Sequence, residues 1–235
     1  MVKDLPDTQT LFDLETYSHK KLFQNIEHAW QALDNITNYL EEFNLGYQQG
    51  EISDQAFLIN PDLISIGIGS VIEPGAFIQG PCIIGNYCTV RNGAYLRGNI
   101  VTGDHCVIGH TTEVKSSILL NHAQAAHFSY VGDSIIGNHV NLGAGAKLAN
   151  LLFSKKNISI SIEEGLVDTQ RRKLGAILGD YSQVGCNSVT NPGTILGKRS
   201  CIHPCLNIGG IVSEDYVIKG NTEIISYPQK KYAFS

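Results

Sequence analysis

Charge is scarce in this chain. Only 17% of its 235 residues are Asp, Glu, Lys or Arg, and the formal net charge is −5, which argues against general nucleic-acid binding. No stretch approaches 18 apolar residues, so nothing reads as a membrane-spanning helix. The first residues carry Asp4, Asp7 and Asp13 and lack the apolar run of a secretory signal. The expectation is a cytoplasmic protein. The six cysteines include no C-x-x-C pair, which leaves a thiolate zinc site little support. Glycine, by contrast, is plentiful at 24 residues, as a fold built from many tight corners requires.

The positive signal is a repeat of six. Ile66, Ile72, Ile78, Ile84, Val90, Leu96, Thr102, Ile108, Val114, Leu120 and Ala126 are spaced six apart, and all but Thr102 and Ala126 are large aliphatics. Neither a helix nor an ordinary strand has that period. Four places on stand mostly small residues: Ser70, Ala76, Cys82, Cys88, Ala94, Ile100, Cys106 and Thr112. This is the hexapeptide β-helix signature, in which three hexads make a triangular coil of about 18 residues and the aliphatics stack inward. Cys82, Cys88 and Cys106 then read as small core residues.

The pattern divides the chain. Residues 1–46 place Phe23, Ile26, Trp30, Leu33 and Leu40 at helical spacing with Gly46 as a stop. They predict a helical segment that packs on the prism or on another subunit, or serves as a regulatory element. Residues 47–63 read as an entry segment, and 64–214 as the β-helix domain. Residues 149–173 leave the frame as an extended loop, and 215–235 form a cap or tail. The frame also breaks after Ala126, where the next inward residues read as Ile136 and Leu142, which suggests an insertion around residues 127–134.

Candidate chemistry follows from the corners. Arg97 and Lys115 each follow an inward aliphatic and stand one coil apart, so the repeat stacks them on one edge. Either an anion such as phosphate lies beside them, or they are a solvated pair near Glu113 or Asp104. His127 sits beside the frame break, and a neutral imidazole there can take a proton from an attacking amine. His105, His110, His122, His139 and His203 show no ligand spacing. The run GAGAK, Gly143–Lys147, is no P-loop. Arg171, Arg172 and Lys173 form a basic run that is either a solvated face or a contact for phosphates.

The strings EVKSSILL, AAHFSYVGDSIIGNHVNLGAGAKLAN and VDTQRRKLGAILGD resemble the acetyltransferase domain of the bifunctional glucosamine-1-phosphate acetyltransferase/N-acetylglucosamine-1-phosphate uridyltransferase family. The archaeal sugar-1-phosphate members resemble it most, over about residues 50–212. The resemblance implies a left-handed β-helix, a homotrimer with sites between subunits, and acetyl-CoA as cosubstrate with no metal required. It implies His127 as the base that deprotonates the 2-amino group of glucosamine-1-phosphate. Arg97, Lys115, Tyr130, Asn141, Asn150 and Lys156 become acceptor residues. Gly143, Ala144, Cys186 and Pro204 line acetyl-CoA. The product would be N-acetylglucosamine-1-phosphate for UDP-N-acetylglucosamine and cell-envelope precursors, with a separate uridylyltransferase, since the family's nucleotidyltransferase domain is not matched here. The chain has Cys186 and Ala146 where the family commonly has Ser and Thr, and N-L-L-F-S-K-K after Ala149. The alternatives are a different amino-sugar phosphate or nucleotide-linked amino sugar as acceptor, or a silent sugar-phosphate-binding scaffold.

Overall fold

A computed structural model describes residues 4–220. Each hexad becomes a short strand and a corner, and the corners turn the chain through three parallel sheets. The first face holds nine strands, from Glu51–Ile52 to Val217–Ile218. The second holds eight, from Phe57–Ile59 to Asn207–Ile208, and the third eight, from Ile64–Ile66 to Ile211–Val212. This is the expected parallel β-solenoid. Ile66, Ile72, Ile78, Ile84, Val90 and Leu96 point into its axis with Ser70, Ala76, Cys82, Cys88 and Ala94 beside them, all essentially buried. Thr102, the polar member of the row, accepts a hydrogen bond at Oγ1 from the Gly85 N–H at 2.9 Å, so its burial is satisfied.

The frame departs from the sequence reading after Val114. The next inward residues are Leu119, Ala125, Val131 and Ile136, not Leu120 and Ala126. Leu120 is buried on the outer side of the wall, in a second cluster. Register explains this. Thr89 pairs with Val107 at the full coil length, but Val107 pairs with Gln124, and Gln124 with Asn141, each at a spacing shorter by one. Two coils each lose a residue at the corner between the second and third faces. There is no insertion around 127–134. The doublets Leu119-Leu120 and Ala125-Ala126 hide the slip, because the neighbour of each inward residue is also apolar.

The third face is apolar on both sides. Ile83, Val101, Ile118, Ile135, Ile177 and Ile195 project outward from it, each fully buried or nearly so. They are covered by the N-terminal segment (Leu11, Phe12, Tyr17, Leu22, Trp30, Leu33, Ile36 and Leu40) and by Ile158 and Ile160 of residues 149–173. The N-terminal segment is not one helix. It comprises Thr8–Leu11, the 3₁₀ turns Lys20–Phe23 and Ala29–Leu33, and the α-helix Ile36–Glu42. Asn25, at φ 57°, breaks it between the first 3₁₀ turn and the second. Residues 149–173 are likewise more than a loop. They contain an antiparallel hairpin, Ser159–Ile162 with Gly165–Asp168. Arg171 of this segment is ion-paired with Asp34 of the N-terminal segment. Of the expected cap or tail, residues 221–235 lie outside the described residues.

The cysteines divide by exposure. Cys82, Cys88 and Cys106 are buried, and Cys186 and Cys205 are exposed. Burial pushes the Cys82 thiol up to about 12 and the Cys106 thiol well above its usual range. The thiolate is the reactive form. Brief alkylation of the native protein at neutral pH should therefore label Cys186 and Cys205 and spare Cys82 and Cys106, read by peptide mass spectrometry. Labelling at Cys82 equal to that at Cys186 would contradict the packing.

Candidate active site

The corner between the first and second faces is a ladder of backbone hydrogen bonds. The N–H of Phe128 donates to His110 O (2.7 Å), Gly145 to His127 O (3.0 Å), Asn187 to Ala144 O (2.8 Å) and Cys205 to Cys186 O (2.9 Å). His127, Ala144 and Cys186 therefore lie in one column, coil on coil, and Phe128, Gly145, Asn187 and Cys205 in the next. Pro204 belongs to the first column too, because a Cβ on Gly185 would meet its nitrogen. Gly143 packs its Cα against the next coil, where a Cβ would lie 2.6 Å from the Cys186 nitrogen. Phe128 turns the corner at φ 36° and about half of the residue's surface stays exposed. The structure thus places His127 and the residues expected to line acetyl-CoA along one edge. Ala146 is not on that edge. It is fully buried in a small core slot.

His127 ends the strand Gln124–His127, in register with His110 of the coil before. The two differ in what their rings hold. His110 Nδ1 is hydrogen-bonded to Asn92 O at 2.9 Å, whereas among the described residues the exposed His127 ring makes no hydrogen bond and stands free.

The acceptor residues gather on the second face and its far corner. Leu96 pairs with Val114, so Arg97 and Lys115 follow in register as expected. Each, however, meets a carboxylate of this chain. Arg97 Nη1 is 2.7 Å from Glu113 Oε1, and the guanidinium lies 5.8 Å over the Tyr95 ring. Lys115 Nζ is 2.7 Å from Asp133 Oδ2, in a pair largely removed from water. Mutual repulsion of the two cations therefore requires no bound anion. Asn150 Nδ2 also donates to Asp133 Oδ2, so one buried carboxylate holds both Lys115 and Asn150. Asp133 is absent from the residues that the sequence singles out, although an acid 18 residues after Lys115, the ordinary hexapeptide coil length, is a visible signal.

Tyr130 completes this network. Burial raises its phenol above the usual tyrosine range, helped by the carboxylates of Glu113 and Asp133, while Asn150 works against the shift. Gly132 makes room for it: a Cβ there would lie 2.6 Å from the Tyr130 hydroxyl and 2.8 Å from Asn150 Nδ2. Gly132→Ala should therefore displace both groups while leaving the core intact, and lower turnover on the order of tenfold to a hundredfold. Activity within twofold of wild type at unchanged thermal stability would show that the network does not serve the reaction.

Two expected residues stand apart. Asn141 is half-buried on the first face, in register between Gln124 and Gln183. Lys156 is exposed, and its neighbour Lys155 instead lines a groove of about 570 Å³ with Arg171, Arg172, Lys173, Leu151 and Asp34. That groove adjoins Asn150, because Leu174 N–H donates to Asn150 O (3.0 Å) and Leu151 bridges Lys173. Among the described residues, no three His, Cys, Asp or Glu side chains converge to hold a metal, and no helix is long and apolar enough to cross a membrane.

The family model described as GMPPB C-terminal domain matches residues 78–213. A bifunctional sugar-1-phosphate nucleotidylyltransferase/acetyltransferase of Sulfurisphaera tokodaii is 37% identical over 107 residues, which is 46% of this chain and 26% of the relative. The bifunctional protein GlmU of Methanococcus maripaludis is 33% identical over 208 residues, 88% of this chain and 50% of the relative. The chain thus spans half or less of the length of these curated relatives. Among solved structures, the UDP-N-acetylglucosamine acyltransferase of Francisella novicida superposes with a TM-score of 0.55 at 16% identity, covering 74% of this chain and 63% of that one, a likeness of fold. The chain belongs to the GMPPB C-terminal domain family.

Proposed function

We propose that this chain transfers acetyl from acetyl-CoA to the 2-amino group of glucosamine-1-phosphate. The observation that carries the reading is the free, exposed imidazole of His127, on the same edge as Ala144, Cys186 and Pro204 and a few residues from the Tyr130–Asn150–Asp133–Lys115 network. In the proposed reaction the amine nitrogen attacks the thioester carbonyl and a C–N bond forms. His127 takes the amine proton, the C–S bond breaks, and coenzyme A leaves as the thiol after protonation. The N–H groups of Gly143 and Gly145 are engaged in the ladder, whereas that of Ala144 has no partner among the described residues and is suited to the oxyanion. Arg97 is the cation best placed for the phosphate, since its guanidinium is accessible and its Glu113 pair is exposed enough to exchange. Exposed apolar residues on the second face, Phe57, Ile59 and Tyr95, support self-association, which fits the expected homotrimer. A separate chain or domain would supply uridylyl transfer.

The two cations should respond differently to mutation. Arg97→Ala loses a surface pair and should cost under about 1 kcal/mol of stability. Lys115→Ala strips Asp133 of its charge partner and should cost about 2 kcal/mol. Both should raise KM for the phosphorylated sugar more than for free glucosamine. Equal losses on both sugars would remove the phosphate from the assignment.

A second reading has one observation in its favour. Lys155, Arg172 and Lys173 have no carboxylate partner among the described ion pairs, and their groove adjoins Asn150. It suits an acceptor whose phosphates extend further, such as a nucleotide-linked amino sugar. Parallel assays with sugar-1-phosphate and UDP-linked amino sugars separate the two, because Arg172→Ala should impair only the longer acceptor.

A further inference from the structure

The corner between the third and first faces carries a column of rings. Tyr87, His105, His122, His139 and Tyr181 stand on successive coils, each at positive φ between 54° and 62°. Their ring centroids are separated by 5.1, 4.7, 4.4 and 4.8 Å, and their planes are tilted by only 13°, 1°, 7° and 7°. The ladder of corner hydrogen bonds keeps the spacing: His105 N–H donates to Asn86 O, His122 to Asp104 O and His139 to Asn121 O, at 2.8, 2.8 and 3.0 Å. The three histidines recur once per shortened coil, a regularity that a strict repeat of six does not pick out.

The N-terminal segment is strapped along this same edge, running against the order of the coils. Lys198 Nζ donates to Gln9 O (3.3 Å) and Asp180 N–H to Leu11 O (3.0 Å). Asp13 N–H donates to Asp180 Oδ2 (2.7 Å), Asn138 Nδ2 to Asp13 O (2.8 Å) and Asn121 Nδ2 to Thr16 O (3.4 Å). At its end the Tyr17 side chain is fully buried against Gly103 with its hydroxyl unpartnered, a cost to docking. Asp13 and Thr16 of the strap, with Asn121, Asn138 and Asp180 of the prism, enclose a small cleft against His122, His139 and Tyr181.

We propose that the histidine column and the strap form one acid-sensitive unit, in which protonation of the column at mildly acidic pH loosens residues 7–17 from the third edge and uncovers the outer apolar wall of the third face. Neutral imidazoles stack; three imidazoliums at these separations place like charges in a row. The surroundings offer little compensation. Burial, His139 and His105 together hold the His122 imidazole below its usual range, against the opposing pull of Asp104. The Asp180 carboxylate is already engaged by the N–H of Asp13 and by Asn138, and burial pushes its own titration upward. Asp13 offers the cleft its backbone as well as its carboxylate, and Thr16 and both asparagines are neutral. Further along the segment, His19 is bonded to the Tyr39 hydroxyl at 2.8 Å, and burial lowers it to about 4. The linkage sign is the same for both. Histidines held below their unfolded value bind fewer protons docked than released, so docking is unimpaired above about pH 6.5 and weakens as pH falls below it.

Hydrogen exchange of the peptide covering residues 7–17, corrected for intrinsic pH dependence, tests this at pH 7.5 and 5.5. A histidine that docking keeps neutral multiplies the opening constant by at most about tenfold over that interval. The wild type should show a clear rise. The column variant H105N/H122N/H139N, with Asn chosen because it tolerates positive φ, should show a smaller one, reduced by up to about tenfold. If the triple variant folds poorly, His122→Asn alone should give the same reduction. An equal rise in wild type and variants, no rise in wild type, or NMR titration of all three imidazoles independently at the ordinary histidine value would overturn the proposal.

Discussion

His127→Ala should lower acetyl turnover by about 10² or more, the scale expected for losing a general base, and leave thermal stability almost unchanged. The asymmetry follows from where the residue sits. Its backbone carries structure, because its carbonyl accepts from Gly145 N–H (3.0 Å) and from Ser129 Oγ (3.2 Å), and alanine keeps both bonds. Its ring is exposed and bonds to nothing described. His110, one coil away in register, is the natural control: its Nδ1 is bonded to Asn92 O, so His110→Ala should touch local structure and spare chemistry. Steady-state kinetics with a saturating acceptor read the difference. Turnover within threefold of wild type for His127→Ala would take the residue out of the mechanism.

Gly109→Ala should be among the most destabilising single substitutions in the chain, at about 4 kcal/mol or more. Gly109 lies within the strand Val107–His110 on the first face, and its backbone approaches the next coil so closely that a Cβ would collide with the carbonyl oxygen, carbonyl carbon and Cα of Ala126. Those atoms are main chain within a parallel ladder and cannot swing aside. Val107, Ile108 and His110 pair with Gln124, Ala125 and His127, so any relief must open the coil boundary that presents the proposed base. At about 2–4 °C per kcal/mol for a domain of this size, the melting temperature should fall by about 8–16 °C. Gln124→Ala, exposed on the neighbouring strand, should shift it by no more than about 2 °C. A Gly109→Ala protein melting within about 3 °C of wild type would mean that the coils are not stacked as described.

The core is legible in the sequence as far as Val114, because aliphatics and small residues alternate there without interference. It becomes illegible where two coils shorten, since Leu119-Leu120 and Ala125-Ala126 offer two apolar frames at once. The covered third face leaves a trace of its own: Ile83-Ile84, Ile118-Leu119, Ile135-Ile136 and Ile177-Leu178 are doublets on four strands of that face, one member inward and one outward. The alternation of Ile158 and Ile160 likewise marks a strand within what reads as a loop. In the site, His127 stands out in the sequence through an expected insertion where the structure instead has coils shortened by one residue, and its claim rests on its free ring and its edge. The register of Arg97 with Lys115 follows from spacing alone. Their neutralisation by Glu113 and Asp133 does not, because an ion pair depends on side-chain direction across coils, which spacing does not carry.

The most direct measurement is release of coenzyme A thiol from acetyl-CoA in the presence of glucosamine-1-phosphate, with free glucosamine and UDP-linked amino sugars in parallel. Thiol release is expected with glucosamine-1-phosphate, exceeding that with free glucosamine and largely lost in His127→Ala. A folded wild-type protein that releases no thiol with any of these acceptors would contradict the proposed function.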